Sequence, residues 1–556
     1  MNLDRRSLLG LLGAGAATPA AAKAANTGQV AFLHGVASGD PGPHSAVFWT
    51  RVTPETGAGG DIAVTLEIAR DAAFRDLVRR VSTLKAGAER DFTIKHELDD
   101  AALRPGTEYF YRFTANGVTS PVGQVRTLPE NQTPDVVLAV VSCQLYPGGL
   151  FNAYDAIAKQ PRVDAVVHLG DYIYEYGAAA GDYGMDHGAR LNRIPEPAHE
   201  IVTLADYRAR HAQYKTDPDL QAAHARAAFI CVWDDHEVAN DTWILGAENH
   251  QPETEGDFAA RKAAALRAYY EWMPIREPKA GTLQEAINRA FHFGDLASLI
   301  MVETRLLARN KQLTYADLPR KADGSPDVAA FEVTRNDPSR DMLGEVQRRW
   351  IGDTIQRSHA AGRPWQVLGN QVVMARVKGP NIDQMMPPEQ VAQLLATLPP
   401  ETRPEIEAAI QLFKLGLPFN LDGWDGYPAG RERLYETFKA TGVQPIVLSG
   451  DSHAFWTNEL YDNAGQRRAV EFGTSSISSP SVGDHVGGLP IGLALSSANP
   501  EVVFCDQTSK GYILLTLTPE RAVAELCAVS TIMAKPYQTR VVKRYSVTPQ
   551  GDLTEG

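Results

Sequence analysis

The chain has 556 residues, of which 44% are hydrophobic and 8% aromatic, and its formal net charge is −13. This composition excludes a mainly disordered chain, and the length predicts two domains with a large buried core. The acidic balance argues against a protein that tracks nucleic-acid phosphates, so we expect no specific nucleic-acid binding. It suits a soluble protein that carries polyvalent cations, and we expect a monomer.

The amino terminus has the features of an export signal. The segment Asp4-Arg-Arg-Ser-Leu-Leu-Gly10 carries two adjacent arginines, a mildly apolar stretch follows, and an Ala-x-Ala site lies near residues 19–22. We predict that residues 1–25 are a bacterial twin-arginine (Tat) signal that is too short to anchor the protein in a membrane. The mature protein is then expected in the periplasm or outside the cell.

Residues 26–130 alternate apolar with polar side chains and are punctuated by Gly, Pro and Asp. Strands are predicted at residues 46–52, 62–68, 92–98 and 109–113. This pattern is typical of a small all-β domain, a sandwich of the immunoglobulin or fibronectin kind, and residues 127–134 are the predicted linker.

Residues 131–556 alternate apolar strands with helical patterns and are predicted to form an α/β domain. Helices are expected at residues 150–159, 258–272, 344–359 and 431–441, and long irregular insertions at residues 177–199 and 378–422. Five runs are continuously apolar, as strands covered on both faces require. These runs are residues 136–141, 165–169, 228–233, 365–368 and 445–448.

Chemically reactive side chains follow these runs. Because strand ends in layered α/β proteins converge on one crevice, we expect these side chains to meet and form a metal centre. Asp171 and Tyr174, with two residues between them at a strand exit, can point at one ion, and a phenolate ligand favours trivalent iron. Cys143 would add a thiolate.

The segments that follow the other predicted strands supply carboxylates and imidazoles. Asp451 and His453 alternate along the chain and need a bend to share a centre, whereas Asp235 immediately precedes His236 and leaves that imidazole free for proton transfer. A carboxylate that bridges two ions, with separate ligands around it, is what a two-metal hydrolytic site requires.

The order of these motifs resembles the alkaline phosphatase D (PhoD) family of calcineurin-like metallophosphoesterases. The resemblance rests on Cys143, Gly-Asp-Tyr-Ile-Tyr-Glu at 170–175, Asp-Asp-His-Glu-Val at 234–238, Leu-Gly-Asn-Gln at 368–371 and Gly-Asp-Ser-His at 450–453. It covers nearly the whole mature chain. The family's fold, a four-layer αββα sandwich, is what the resemblance implies for residues 131–556.

The resemblance also implies a ligand set. It assigns iron (Fe³⁺) to Cys143, Asp171, Tyr174 and His453, and makes Asp171 a bridge to calcium (Ca²⁺). On the calcium side the resemblance places Asp235, Asn240 and Asp451. Whether Asp235 or Asn240 binds calcium directly stays open. The chain departs from the family at Glu303, where Asp is expected, and the longer carboxylate argues against a direct metal role there.

Together these features predict a secreted metallophosphatase for phosphate acquisition. It would hydrolyse phosphate mono- and diesters by attack of a metal-bound hydroxide, with Asp171, Asp235 and His236 in catalysis and His236 as acid for the leaving alkoxide. One alternative is a phosphodiesterase that acts on lipids or cell-wall polymers, which a long apolar lining of the insertions would favour. The other is a non-enzymatic surface-binding protein, which has no reason to keep a complete ligand set.

Several residues keep a structural alternative. Asn370 could simply satisfy the backbone at a strand end, and Arg261 could lie on the solvated face of its helix or contact phosphate. Cys505 and Cys527 could form a disulfide or remain two buried thiols.

Overall fold

The computed structural model describes residues 28–55, 60–398, 403–486 and 489–556, so the predicted signal at 1–25 lies outside the described residues. The strands are β1 (Val30–Ala31), β2 (Val36–Gly39), β3 (Ser45–Arg51), β4 (Thr53–Pro54), β5 (Ile62–Ala69), β6 (Leu77–Ala86), β7 (Thr93–Asp99), β8 (Glu108–Ala115), β9 (Val118–Thr119), β10 (Gly123–Arg126), β11 (Val136–Val141), β12 (Ala165–His168), β13 (Ala228–Cys231), β14 (Arg289–Phe293), β15 (Ala297–Met301), β16 (Trp365–Gly369), β17 (Ile446–Ser449), β18 (Phe455–Tyr461), β19 (Arg467–Gly473), β20 (Val502–Asp506), β21 (Lys510–Leu517), β22 (Ala522–Val529), β23 (Thr539–Val547) and β24 (Leu553–Glu555).

The helices are α1 (Asn152–Ala158), α2 (Met185–Leu191), α3 (Leu204–Tyr214), α4 (Pro218–Arg226), α5 (Pro252–Glu255), α6 (Phe258–Trp272), α7 (Val328–Arg335), α8 (Gly344–Ala360), α9 (Pro388–Thr397), α10 (Arg403–Phe413), α11 (Pro428–Thr441), α12 (Val482–His485) and α13 (Ile491–Ala498). Within the ranges that the structure describes, no helix combines the length and the apolar character needed to cross a membrane.

Two large sheets form the centre of the molecule. One has the strand order β24-β23-β22-β21-β11-β12-β13-β2-β3-β7, and the other has the order β14-β15-β16-β17-β19-β18-β20. Their facing sides share one apolar core, which includes Val140 of β11, Val367 of β16 and Leu448 of β17. Each such side chain contributes about 1.5–3 kcal/mol when it is removed from water.

Helices cover the outer face of each sheet. Leu220 of α4 and Leu266 of α6 join the core from the first sheet's outer side, whereas Ile351 of α8 and Leu434 of α11 pack in a second cluster against the other sheet. The predicted four-layer αββα sandwich is confirmed. The α11 helix begins three residues before the predicted start because Pro428 occupies its first turn, where a fixed φ favours the helix.

The amino-terminal β domain is present, and one of its two layers belongs to the long sheet. Strands β5, β6, β8, β9 and β10 form a separate five-stranded sheet. It packs through Leu66, Tyr111 and Phe113 against Val36 and Phe48 of β2 and β3. Since β2 pairs in parallel with β13 at Gly39 and Phe229, the sandwich and the large domain share a sheet.

The prediction that the two insertions are irregular is wrong. Residues 177–199 contain α2, and residues 378–422 contain α9 and α10. The second insertion has its own small core of Ile382, Val391 and Ile410, and burial of this apolar face explains why helices form there.

Candidate metal centre

The predicted site residues lie at the carboxyl ends of parallel strands. Strands β11, β12 and β13 run parallel in the first sheet, and β15, β16, β17 and β19 run parallel in the second. Cys143, Asp171 and Asp235 follow the first three strands, and Asp451 follows β17. The expected convergence on one crevice is therefore observed.

The backbone is left-handed at four of these positions. Cys143, Asp171, Asp451 and His453 have φ of 60°, 58°, 60° and 57°. Each costs about 1–2 kcal/mol in a residue with a side chain, and such strain concentrates at functional sites. The segment bends at Asp451 and His453, and it places His453 in a ligand-atom group with Asp171 but Asp451 in a group with Asp234 and Asp235.

Two groups of ligand atoms overlap at Asp171. Cys143, Asp171 and His453 place a sulfur, an oxygen and a nitrogen within 4.8 Å of one another, and Asp171, Asp235 and His236 form a second group of the same size. Tyr174 joins the first group, since its hydroxyl lies 3.1 Å from Asp171 Oδ2 and 3.4 Å from His453 Nε2. Asp171 is thus placed as a bridging carboxylate would be.

Neighbouring groups fix the orientation of His453. Its Nδ1 lies 2.7 Å from the carbonyl oxygen of Pro480, which can only accept a hydrogen bond, so Nδ1 carries the proton. The Nε2 lone pair then points toward the cluster. Tyr183, from the first insertion, donates its hydroxyl to the same carbonyl at 2.9 Å and stacks on the imidazole.

A third group consists of carboxylates only. Asp234, Asp235 and Asp451 have oxygens within 4.8 Å of one another. Arg305, which is fully buried, lies between them: its Nε is 2.5 Å from Asp234 Oδ1, and its Nη2 is 3.7 Å from Asp235 and 3.6 Å from Asp451. Arg305 also donates to Asp422 at 2.9 Å. One guanidinium therefore compensates much of this negative charge.

His236 is held by an acidic partner. Its Nδ1 lies 2.7 Å from Oε2 of the buried Glu175, and its ring packs on Tyr174 with centroids 4.2 Å apart. Burial lowers the pKa of His236, but Asp235, Glu175 and Asp171 raise it to well above the usual value. These carboxylates favour the protonated ring, as a proton donor requires.

Asn240 lies beside this pair. Its backbone N–H donates to Glu175 Oε1 at 2.7 Å, and its side-chain amide donates to Glu248 at 3.2 Å. Asp235 Oδ2 accepts from the Asp241 backbone at 2.6 Å. Direct binding of calcium by Asn240 stays a prediction.

The residues present fit bound cations. Asp171 Oδ1 and Asp235 Oδ1 are buried and accept no hydrogen bond from the described residues, which is costly unless a ligand satisfies them. Burial, together with nearby carboxylates, raises the pKa of Asp451 and of the Cys143 thiol. A cation would reverse both effects, because it stabilises the ionised ligands. The mixed sulfur, nitrogen and oxygen donors suit a transition metal, and the carboxylates suit a hard cation.

Glu303, Arg261 and Asn370 have structural roles, and Cys505 and Cys527 do not form a disulfide. Glu303 accepts hydrogen bonds from the Trp233 indole and three backbone N–H groups, so it is not placed to bind a metal. Arg261 is buried and pairs with Glu200 and Glu255, so it neither faces solvent nor is free to contact phosphate. Asn370 donates to the Val372 carbonyl, as expected at a strand end. The four cysteines, Cys505 and Cys527 included, are buried free thiols.

The sequence analysis missed three supporting residues. Arg305 and Glu175 are described above. Glu237 accepts from the backbone N–H groups of Asp171, Tyr172 and Asp234, and so joins the loops after β12 and β13. Glu175 and Glu237 lie inside the motifs themselves, which was the available signal. For Arg305 the only signal in the sequence was its position shortly after β15.

Comparisons with known proteins show similarity in sequence and in fold. Residues 138–526 match the family model of the PhoD-like phosphatase, and residues 16–129 match that of the PhoD-like phosphatase N-terminal domain. The chain is 33% identical to alkaline phosphatase D of Bacillus subtilis (strain 168), over 96% of this chain and 85% of that protein. A solved structure of PhoD superposes with a TM-score of 0.76 at 29% identity, over 94% of this chain and 92% of the other. The resemblance drawn from the motifs is confirmed: the chain belongs to the PhoD-like phosphatase family and is a phosphatase of the alkaline phosphatase D type.

Proposed function

We propose that the protein is an exported alkaline phosphatase that hydrolyses phosphate mono- and diesters and thereby supplies inorganic phosphate to the cell. The observation that carries the proposal is the pair of ligand-atom groups that share Asp171, one of which includes His236. A phosphoryl group held there would meet cationic charge on one side and a proton donor on the other.

The proposed metals are Fe³⁺ and Ca²⁺. Cys143, Asp171, Tyr174 and His453 would hold iron, and the oxygen ligands of calcium would be Asp171, Asp235, Asn240 and Asp451. When bound, these cations would supply Lewis-acid polarisation of the phosphoryl oxygens and neutralise charge that develops there.

Glu175 and His236 would position the proton that the leaving group takes up. The Glu175 carboxylate holds His236 Nδ1 at 2.7 Å, so Nε2 is the nitrogen left to face the substrate. Loss of the Nε2 proton to the leaving alkoxide would produce a neutral alcohol. Glu175 also accepts from Asn240 and Asn249, which keeps the carboxylate ionised and fixed in place.

Export rests on Arg5 and Arg6 in the predicted signal. Fusion of residues 1–25 to a reporter protein should direct it to the periplasm, and replacement of both arginines by lysine should hold it in the cytoplasm. Export that is indifferent to this change would contradict a twin-arginine signal.

The alternative phosphodiesterase of lipids or cell-wall polymers has weaker support. It would require a long apolar lining from the insertions, but only Tyr183, Phe419 and Asn420 of the described insertion residues line the cavity beside the site.

The decisive experiment combines metal analysis with kinetics. Freshly purified protein should contain one iron and at least one calcium per chain, absorb visible light, and hydrolyse both a monoester and a diester. Hydrolysis with zinc as the only bound metal would reject the proposed centre, and hydrolysis of monoesters alone would reject the diester activity.

A further inference from the structure

An apolar cavity of about 320 Å³ adjoins the metal centre. Asp451, Ser452 and His453 form one side of it, so its contents would lie against the ligand side chains. The rest of the lining is mainly apolar, with Val373, Val377, Phe419, Trp424, Trp456 and Val482, but it also includes polar side chains: Tyr183, Asn420, Asp425, Ser481 and His485. The volume is within the range of small-molecule sites.

Hydrogen bonds inside the protein make the tryptophan walls apolar. The indole N–H of Trp424 donates to Asn370 at 3.2 Å, and that of Trp456 donates to Ser452 at 2.7 Å. Both indoles are therefore satisfied and present ring carbon to the cavity.

Polar groups that line the cavity also make hydrogen bonds or ion pairs inside the protein. Asp425 pairs with Arg431 at 2.8 Å and accepts from the Val377 backbone at 2.7 Å. Ser452 Oγ accepts from the Trp456 indole, so its own proton remains available for donation. The Asp425 carboxylate and both indole N–H groups are thus paired inside the protein.

This mainly apolar lining matches an amphiphilic ester. A glycerol or sugar group would place hydroxyls against apolar walls, where each unpaired hydroxyl costs about 1–3 kcal/mol. An aromatic or branched apolar group would instead gain from burial. We propose that the cavity binds the organic group of the substrate and selects phosphate esters of apolar alcohols with one or two rings over esters of polar alcohols; this inference rests on the proposed phosphatase function.

The test compares two esters whose leaving alcohols have similar acidity, 2-phenylethyl phosphate and ethyl phosphate. We expect kcat/KM for the phenylethyl ester to be higher by about 10-fold or more, the usual gain from filling an apolar pocket. Calorimetry with the holoenzyme should show the same preference for 2-phenylethylphosphonate over ethylphosphonate, which are not hydrolysed.

Substitutions in the cavity wall test whether the preference for the phenylethyl ester depends on the cavity. Val482→Asp, in the first turn of α12, places a charge at a wall residue that is 41% exposed, and it should reduce the preference by about 10-fold. Phe419→Ala should act in the same direction. The matched control is Val346→Asp, since Val346 is 83% exposed in the first turn of α8, outside the cavity, and should leave the preference unchanged.

The two proposals fail in different ways. Equal kcat/KM values and equal phosphonate affinities would overturn the role of the cavity while the phosphatase activity stands. Preferential binding of the phenylethyl phosphonate without hydrolysis of either ester would support the cavity and overturn the proposed function. A preference that survives both Val482→Asp and Phe419→Ala would also overturn the assignment.

Discussion

Arg305→Met tests whether one buried guanidinium holds the carboxylate cluster together. Arg305 is 0% exposed and donates to Asp234 at 2.5 and 3.1 Å and to Asp422 at 2.9 Å. Methionine keeps much of the volume and removes the charge, so buried Asp234 loses its close ion-pair partner and Asp422 keeps only Arg309. Breaking a buried ion pair in this way costs about 3–5 kcal/mol. We therefore expect a large fall in the stability of the metal-stripped protein.

The matched control is Arg467→Met. Arg467 pairs with Glu459 at 2.8 Å and Asp552 at 3.1 Å, but its side chain is 21% exposed and a surface pair contributes only about 0–1 kcal/mol. Urea unfolding followed by tryptophan fluorescence should show a clearly lower midpoint for Arg305→Met alone. Asp234→Asn, added to Arg305→Met, should recover part of the loss, because it removes one of the stranded charges. Equal midpoints for the two arginine variants would refute the reasoning.

The remaining predictions concern the proposed centre. Tyr174→Phe should abolish the visible charge-transfer band of a phenolate bound to iron with little change in stability, and full retention of the band would exclude Tyr174 as a ligand. A mild chelator should remove activity that added calcium restores while iron stays bound, and full activity after measured loss of calcium would contradict the calcium assignment. His236→Asn should lower turnover of an alkyl phosphate by about 10²-fold and that of a nitrophenyl ester much less, because only the alkoxide needs a proton. Equal losses on both esters would mean that His236 positions the substrate.

The main strands and the reactive side chains after them were predictable because each signal is local. Residues 136–141 are continuously apolar, and Cys143 follows within two residues. Continuous burial on both faces leaves such a run few alternatives to a central strand.

The support around the site was not predictable in the same way. Arg305 contacts Asp234, Asp422 and Asp451, which come from three distant segments, and a single arginine in the sequence carries no information about them. The position of β2 was unpredictable for the same reason. Its four residues meet β13 through one pair, Gly39 and Phe229. Contacts between distant segments depend on the assembled fold and leave no periodic pattern in the chain.

The ten-stranded sheet also constrains how the protein can be made. Strands β11, β12 and β13 lie between β2, β3 and β7 on one side and β21 to β24 on the other. The sheet therefore contains strands from residue 36 to residue 555, and it pairs β11 with β21, which lies more than 350 residues later in the chain. Such non-local pairing is slow, since long loops must close before the contacts form. In the amino-terminal sandwich, the edge of β2 that pairs with β13 stays unpaired until residue 229 has been made. Until translation has passed the last strand, the nascent chain has unpaired strand edges, and chaperones that cover such edges should raise the yield of folded enzyme.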